Sequence, residues 1–278
     1  MNIRGEIITS RQNRQVVEIG KLTDRKAREA TRSFRFDGIK LLTEAIKNGV
    51  IPETVLLRES DAETVAERIC IGVGGGFSFD SLRVLILSDG VFEKISEEKS
   101  PEGVISVAKY IDKLQKIVTI YNSENFLPAA GERIVLLESV RDPSNVGAVI
   151  RSAAALGVDR LIMSADCADI YHPRAVRASM GALFNQRIDR VESLSEVIAL
   201  FQQHGRRVYA AALDPNAKKL GEFEIAAEDC VVIGNEGHGL SEAVLKACGQ
   251  KVFIPMSGRA KSFNAAVAAS ILMWEFTR

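Results

Sequence analysis

Three separated stretches in the second half of the chain carry side chains of types that can do chemistry. They are residues 141–151, 233–240 and 254–264. Each stretch follows an apolar run that is typical of a buried strand, and each leads into a pattern typical of a helix. Polar turns at the carboxyl edge of a parallel sheet suit a small ligand that is held largely by main-chain groups.

The first stretch offers Asn145 and Arg151 as polar candidates. Ser144 or Asn145 is predicted to cap the helix that follows, and the free backbone N–H groups at its start can hold a phosphate or a carboxylate. Because an α-helix turns about 100° per residue, two side chains six positions apart need not share a face. A capping asparagine and an unrelated surface arginine therefore remain an alternative interpretation.

The second and third stretches combine a carboxylate, a hydroxyl and an amide with several glycines. Glu236 lies among three glycines, which let the backbone approach a ligand closely or adopt a positive φ. A carboxylate in that place can orient an arginine or hold the ligand. Ser262 is a candidate N-cap of an alanine-rich helix, and Asn264 in its first turn can face the pocket. His238 lacks obvious Asp and Ser partners, so the sequence gives little support to a hydrolase triad.

Arginines are the candidate contacts to a phosphate backbone. The stretch 171–184 is basic and rich in small residues, and its Arg174 and Arg177 can clamp phosphates. Arg141, at the start of the first stretch, is the third arginine that can contact a phosphate.

The charge of the chain is uneven. The 278 residues have a formal net charge of zero, so the chain as a whole is not a polycation. Its first fifty residues, however, hold eleven Lys or Arg against six Asp or Glu. A local excess of this kind attracts phosphates. A solvated helix face with partly paired charges is an equally good interpretation of the same residues.

The composition and short motifs argue against several classes of protein. Four scattered cysteines form no CxxC pair and have no His at ligand spacing, so neither a disulfide framework nor a metal site is predicted, and a reducing cytoplasm fits. The sequence shows no signal-peptide pattern and no apolar run long enough to span a bilayer. The glycine-rich residues 72–77 lack the third glycine of a dinucleotide fingerprint, which leaves an oxidoreductase without support.

Strands that alternate with helices predict an α/β fold in two parts. We expect a small α/β domain in residues 1–112, a linker in 113–132 and a larger domain in 133–278. Residues 8–49 have helical spacing. In the larger domain, the alternation predicts a parallel sheet that is covered on both faces. Its predicted strands are 134–137, 160–163, 208–213, 230–234 and 251–254.

In this order, the three stretches resemble the motifs of the SpoU-type RNA ribose 2′-O-methyltransferases of the SPOUT superfamily. The first motif corresponds to residues 142–151, the second to 233–240, and the third to 254–256 with 262–264. The likeness covers about half of the chain. Phe263 stands where the family usually has Leu, which implies a bulkier wall against the cofactor.

The first part of the chain is similar to the ribosomal-protein-like RNA-binding domain that precedes many such enzymes. Residues 8–13, 34–38 and 101–103 carry this weaker likeness. Asp37 stands at a position that is more often Glu.

The resemblance implies a fold, a cofactor and an assembly. The fold is a parallel sheet with a deep trefoil knot, an exception to the usual unthreaded topology. The cofactor is S-adenosylmethionine, bent within the knot, and the assembly is a homodimer whose two chains share each site. The residues implied in cofactor binding, mainly through backbone atoms, are Gly234, Ile254 and Phe263, with Leu213 and Met256 as neighbours.

The resemblance also implies a reaction, the transfer of a methyl group to a ribose 2′-hydroxyl. The implied catalytic residues are Asn145, Arg151, Glu236, Ser262 and Asn264. The family assigns deprotonation of the hydroxyl to the arginine that matches Arg151. A guanidinium stays protonated at ordinary pH and is therefore a poor base. We therefore hypothesise that Arg151 acts together with the substrate phosphate, or positions the hydroxyl and stabilises charge.

The extra N-terminal domain favours 23S ribosomal RNA as the substrate, with transfer RNA as the second prediction. A non-catalytic RNA-binding protein of the same fold is a further alternative. The presence of Asn145, Arg151, Glu236 and Asn264 speaks against that alternative.

Overall fold

A computed structural model describes residues 7–74, 77–111, 117–118, 126–259 and 261–277. The helices of this part of the chain are α1 (Arg14–Gly20), α2 (Arg25–Thr31), α3 (Ile39–Lys47), α4 (Ala62–Val73), α5 (Asp89–Ile95), α6 (Pro143–Ala155), α7 (Pro173–Ser179), α8 (Leu194–Gln203), α9 (Glu242–Cys248) and α10 (Ala265–Thr277). Its strands are β1 (Ile7–Ile8), β2 (Ser33–Asp37), β3 (Thr54–Arg58), β4 (Arg83–Leu87), β5 (Val104–Lys109), β6 (Ile117–Val118), β7 (Ile134–Leu137), β8 (Arg160–Ser164), β9 (Arg187–Val191), β10 (Val208–Ala211), β11 (Lys218–Lys219), β12 (Cys230–Ile233) and β13 (Gln250–Phe253).

The chain divides into two compact units. Unit 1 comprises Met1–Ile111 and Tyr171–Asn185, and unit 2 comprises Asp112–Ile170 and Gln186–Arg278. The units differ from the predicted domains in one stretch, because the sequence places Tyr171–Asn185 in the larger domain and the structure packs it within unit 1. Most of the predicted linker 113–132 lies outside the described residues.

Unit 1 is built on a five-stranded mixed sheet in the order β1-β4-β3-β5-β2. The strands β1, β4 and β3 are parallel, and β5 runs antiparallel to both β3 and β2. Leu22, Leu56, Phe92 and Ile105 belong to its buried core. The prediction of helical spacing across residues 8–49 is wrong for β2, whose five residues are too few to interrupt the helical patterns on either side.

Aromatic packing explains why the stretch Tyr171–Asn185 belongs to unit 1. The ring of Tyr171 stacks on that of Tyr110 with centroids 4.1 Å apart and planes 13° apart. The backbone N–H of Ile111 donates a hydrogen bond of 2.7 Å to the Tyr171 hydroxyl. Phe36 of β2 packs against Phe184, with ring centroids 5.4 Å apart. Stacked and tilted aromatic pairs of this kind stabilise a core beyond the burial of their area alone.

Unit 2 is an eight-stranded sheet in the order β11-β13-β10-β12-β7-β8-β9-β6, and every pairing in it is parallel. This arrangement confirms the predicted α/β class with a parallel sheet. The strand β12 lies between β10 and β7, so neighbours in the sheet are not neighbours in the chain. The predicted trefoil knot, which requires the chain to thread through itself, stays a prediction.

The strand β9 is a second element that the sequence analysis missed. Three of its five residues are charged, whereas the neighbouring β8 has an apolar run at its centre. The charges are accommodated by pairing, since Arg160 of β8 donates a hydrogen bond of 2.5 Å to Asp189 of β9. None of the described helices is long and apolar enough to cross a membrane.

Candidate functional site

A cavity of about 430 Å³ opens in unit 2 where several strands end. Its lining comes from three segments: the residues after β10, the glycine turn 233–240 after β12, and the residues after β13. All five predicted cofactor-binding residues line this cavity, namely Leu213, Gly234, Ile254, Met256 and Phe263. Leu213 and Phe263 are large apolar side chains that are 63% and 40% exposed, so each offers an apolar surface to a ligand.

The glycine turn is held by its own hydrogen bonds. The backbone groups of Asn235 and Gly239 exchange two hydrogen bonds of 3.0 Å. The side-chain oxygen of Asn235 accepts hydrogen bonds from the backbone of Gly237 and His238 at 2.8 and 3.1 Å. A Cβ on Gly234 would lie only 2.5 Å from the carbonyl carbon of Gly239, so the turn closes only with glycine at this position.

The loop between β7 and α6 is joined to the same glycine turn. Glu138 accepts hydrogen bonds from the backbone N–H of Ser241 at 2.8 Å and from its hydroxyl at 2.6 Å. Asn235 donates a hydrogen bond of 2.7 Å to the carbonyl of Ser139. Because β7 and β12 are adjacent parallel strands, their carboxyl ends bring the two loops together.

Three predicted catalytic residues form a chain of hydrogen bonds beside the cavity. Asn264 donates from Nδ2 to Asn145 Oδ1 at 2.8 Å. Asn145 donates from Nδ2 to Glu236 Oε1, also at 2.8 Å. Glu236 lines the cavity, as does the fourth predicted residue, Ser262. Residues that are more than 100 positions apart in the sequence therefore meet at one point.

Arg151 is a predicted catalytic residue that takes no part in this series of hydrogen bonds. It is exposed on α6, and among the described residues no hydrogen bond joins it to Asn145, Glu236 or Asn264. Six positions along a helix correspond to a rotation of about 240°, which turns Arg151 away from Asn145. Because both residues lie in the one continuous helix α6, this rotation puts them on different faces.

Two predicted helix caps are wrong in detail. The side chain of Asp142 caps α6 by accepting from Ser144 N at 2.7 Å, and Pro143 occupies the first helical position. The side chain of Asn264 caps α10 by accepting from the backbone of the second and third helical residues at 2.9 and 3.3 Å. Ser262 therefore lies outside the helix, and Asn145 is free to bond across the site.

The three predicted RNA contacts fall in different units. Arg141, in unit 2, lies 3.3 Å from Asp166, and its side chain is 70% exposed. Arg174 and Arg177 are exposed on α7 in unit 1, where Arg177 pairs with Glu98 at 2.6 Å. Burial is the main effect on the pKa of Glu98 and raises it, and the nearby Arg177 opposes this.

Asp166 is a residue near the site that the sequence analysis did not single out. Burial alone would raise its pKa, but hydrogen bonds from Ser139, Ser164 and Arg141 together hold the pKa below its ordinary value. The carboxylate thereby ties the β8 end to the β7–α6 loop. Ser139 adopts a positive φ of 53°, which places its hydroxyl 2.6 Å from Asp166.

Glu138 is the second residue that was missed, although the sequence carried a signal for it. It directly follows the apolar run of β7, which is the position where a parallel strand delivers polar groups to the sheet edge.

Asp214 is the third residue near the site that the sequence analysis missed. Lys251 donates to it at 2.5 Å, and this hydrogen bond lowers the pKa of the Asp214 carboxyl. This pair fixes the start of the loop that carries Leu213.

The residues of the cavity fit the predicted cofactor, S-adenosylmethionine. The volume lies within the roughly 300–1,000 Å³ of small-molecule sites, and a largely apolar lining with main-chain groups of a glycine turn suits an adenosine group. Within the described part of the chain, no cluster of three or more His, Cys, Asp or Glu side chains could hold a metal ion.

The chain matches two known protein families. Residues 132–274 match the SpoU rRNA Methylase family. Residues 13–106 match the MRM3-like substrate binding domain.

Relatives of similar length cover nearly the whole chain. The chain is 27% identical over 272 residues to the 23S rRNA (guanosine(2553)-2′-O)-methyltransferase RlmP of Bacillus subtilis, covering 96% of this chain and 97% of that protein. It is 30% identical over 278 residues to the 23S rRNA (uridine(2479)-2′-O)-methyltransferase of Streptomyces viridochromogenes, covering 98% of this chain and 91% of that protein.

A solved structure shares both units of the fold. The crystal structure of AdoMet-bound rRNA methyltransferase from Sinorhizobium meliloti is similar, with a TM-score of 0.77 and 29% sequence identity. The similarity covers 97% of this chain and 96% of that one.

Proposed function

The chain belongs to the SpoU rRNA methylase family, and we propose that it transfers a methyl group from S-adenosylmethionine to a ribose 2′-hydroxyl of 23S ribosomal RNA. The predicted enzyme class and cofactor are confirmed by the family and by the AdoMet-bound relative. Two of the relatives that cover nearly the whole chain are named for 23S rRNA, which supports this RNA, and a third is named only as a tRNA/rRNA methyltransferase.

One observation carries the proposal at the level of chemistry: the polar chain Asn264–Asn145–Glu236 ends at the rim of the cavity. S-adenosylmethionine, when bound, supplies an activated methyl group on a sulfonium. The protein has to bring a ribose hydroxyl in line with that group and assist its deprotonation. A fixed polar chain beside an apolar cavity can orient a hydroxyl in this way.

Arg151 completes the site from a partner subunit in this proposal. Its side chain points away from Asn145 on its own α6, so it is poorly placed to serve its own polar chain. In a homodimer whose chains share each site, the same arginine contacts the neighbouring site. There it stabilises charge on the ribose oxygen or the adjacent phosphate.

An exposed apolar face on α10 supports the homodimer. Val267 and Trp274 are 45% and 58% exposed, and Ile271 lies between them. Their spacing of four and three residues puts them on one face of the helix. The exposure of this apolar face in a single chain supports an interface.

Unit 1 serves as the RNA-binding unit in this proposal, since it contains the match to a substrate-binding domain. Arg174 and Arg177 of unit 1 and Arg141 of unit 2 are proposed to contact phosphates. Ribosomal RNA as the substrate places the activity in the cytoplasm.

The test combines cofactor binding with methyl mapping. Calorimetry with S-adenosylmethionine is expected to show saturable binding. Ribose-methylation mapping of RNA from cells lacking the protein is expected to show one lost 2′-O-methyl site in 23S rRNA, restored by the gene. Loss of a site in transfer RNA instead would reassign the substrate, and the absence of cofactor binding would support a non-catalytic RNA-binding protein.

A further inference from the structure

The first residues of α10 determine which way two side-chain amides point. Asn264 Oδ1 accepts from Ala266 N at 2.9 Å and Val267 N at 3.3 Å, as a helix cap does. An amide has one oxygen and one nitrogen, so Asn264 Nδ2 must point away from the helix. It donates to Asn145 Oδ1, and this leaves Asn145 Nδ2 to donate to Glu236 Oε1. The backbone of α10 thus sets the direction of both hydrogen bonds, from Asn264 to Asn145 and from Asn145 to Glu236.

The last member of such a chain has to be an acceptor, and an ionised carboxylate accepts at both oxygens. Oε1 of Glu236 is occupied by Asn145. Oε2 lies 3.5 Å from Arg141 N, longer than the roughly 2.7–3.2 Å of an ordinary N–H···O bond. Because Glu236 is exposed and lines the cavity, Oε2 is available to a substrate hydroxyl.

The chemistry of the other candidates also points to this oxygen. A guanidinium is protonated at all ordinary pH values, amides do not titrate, and a serine hydroxyl is a weak base. Among the five predicted catalytic side chains, Glu236 is the one carboxylate, and a carboxylate oxygen is the strongest proton acceptor of these groups. His238 lines the same cavity, but the amide chain does not hold it.

We propose that Glu236 Oε2 accepts the proton of the ribose 2′-hydroxyl, and that Asn264, acting through Asn145, is the positioning residue that keeps this oxygen aimed at the substrate. The inference rests on the proposed function, because it concerns the same reaction. The ribose oxygen forms its bond to the methyl carbon as the carbon–sulfur bond breaks, and the bonding pair stays on sulfur, which becomes a neutral thioether. The hydroxyl proton passes to Glu236 and then to water.

Three variants separate the proton acceptor from its support. Glu236→Gln keeps an acceptor for Asn145 but loses the carboxylate, so kcat is expected to fall about 100-fold with unchanged cofactor affinity. Asn264→Asp still caps α10 but cannot donate to Asn145, so Asn145 turns its oxygen toward Glu236. We expect lower turnover and a lower melting temperature.

The double variant N264D/E236Q is the decisive one. Its glutamine nitrogen can donate to the turned Asn145, so the chain is rebuilt with reversed polarity. Melting temperature and cofactor affinity are expected to return close to those of the unmodified protein, while turnover stays about 100-fold low. The control is Ser193→Asp, which also puts a carboxylate at the start of a helix, on α8 outside the cavity lining, and it is expected to change neither turnover nor cofactor affinity.

Several outcomes would overturn the inference. The first is recovery of turnover in the double variant, and the second is unchanged turnover in Glu236→Gln. The third is an Asn264→Asp variant with unchanged turnover and melting temperature. The fourth is a His238→Asn variant whose turnover falls to the level of Glu236→Gln. Absence of methyl transfer by the unmodified protein would instead remove the proposed function itself.

Discussion

Gly234 shows how one residue without a side chain shapes the cofactor site. Its φ is not in the left-handed region, so backbone conformation is not the reason for glycine here. The reason is space, because the carbonyl group of Gly239 and the amide of Leu240 lie within 2.7 Å of where a Cβ would be. Backbone atoms cannot move aside as a flexible side chain does, so the turn excludes every larger residue.

Gly234→Ala is therefore expected to open the glycine turn. Overpacking of this kind costs about 1–3 kcal/mol, and we expect at least a 10-fold loss of S-adenosylmethionine affinity. Calorimetry and thermal melts measure both effects. Gly20→Ala is the control, because its Cβ meets nothing within 4 Å and its φ is −57°, so stability is expected to stay equal or rise. Unchanged affinity in Gly234→Ala would contradict the assignment of the turn.

Arg151 carries a second prediction at the residue scale. Arg151→Ala is expected to keep cofactor affinity and to lower kcat on the order of 100-fold or more, because a charge contact made in the transition state is lost. Lys246→Ala, an exposed cation on α9 outside the site, is the control. Turnover within threefold of the unmodified protein would refute a role for Arg151.

Helix starts are the elements that aim polar groups at the site. Ser241 caps α9 by accepting from Val244 N at 3.3 Å, and its hydroxyl also donates to Glu138. This one residue therefore starts a helix and joins two loops of the cavity. The same kind of cap on α8, by Ser193, makes no link to the cavity lining.

Comparison of these two caps gives a prediction at the scale of elements. Ser241→Ala and Ser193→Ala are each expected to cost about 1 kcal/mol of unfolding free energy, or roughly 2–4 °C in Tm. Only Ser241→Ala is expected to weaken S-adenosylmethionine binding, because it also removes the hydroxyl hydrogen bond to Glu138 and leaves only the backbone one. Equal cofactor affinity in the two variants would show that the Glu138–Ser241 link does not support the site.

The elements differ in how well the sequence predicts them. Apolar runs such as β7 and β12 were predicted because both faces of a parallel strand are buried. The strands β2 and β9 were missed, since their charged residues are paired or buried only in the folded chain, as Arg160 and Asp189 show. The predicted cap of α10, Ser262, lies two residues before the observed cap, Asn264, because Ser and Asn have similar N-cap preferences.

At the scale of the whole molecule, assembly is the property to test. Trp274→Glu places a charge on the exposed face of α10 and is expected to convert a homodimer to a monomer that has lost turnover. Light scattering after size-exclusion chromatography measures the mass. Ile71→Glu, the same change at a residue of α4 that is 72% exposed, is the control and is expected to leave the mass unchanged. A dimer that survives Trp274→Glu would exclude this face as the interface.

The resemblance to a known family implied five of the residues that line the cavity. The sequence by itself determined the α/β class and the three motif stretches. Local patterns suffice for these, because buried strands and glycine turns leave their mark on neighbouring residues. Only the tertiary structure decided that Asn264, Asn145 and Glu236 are bonded in that order and that residues 171–185 pack in unit 1. These facts depend on contacts between residues that are far apart in the chain. A local sequence pattern carries no information about such contacts.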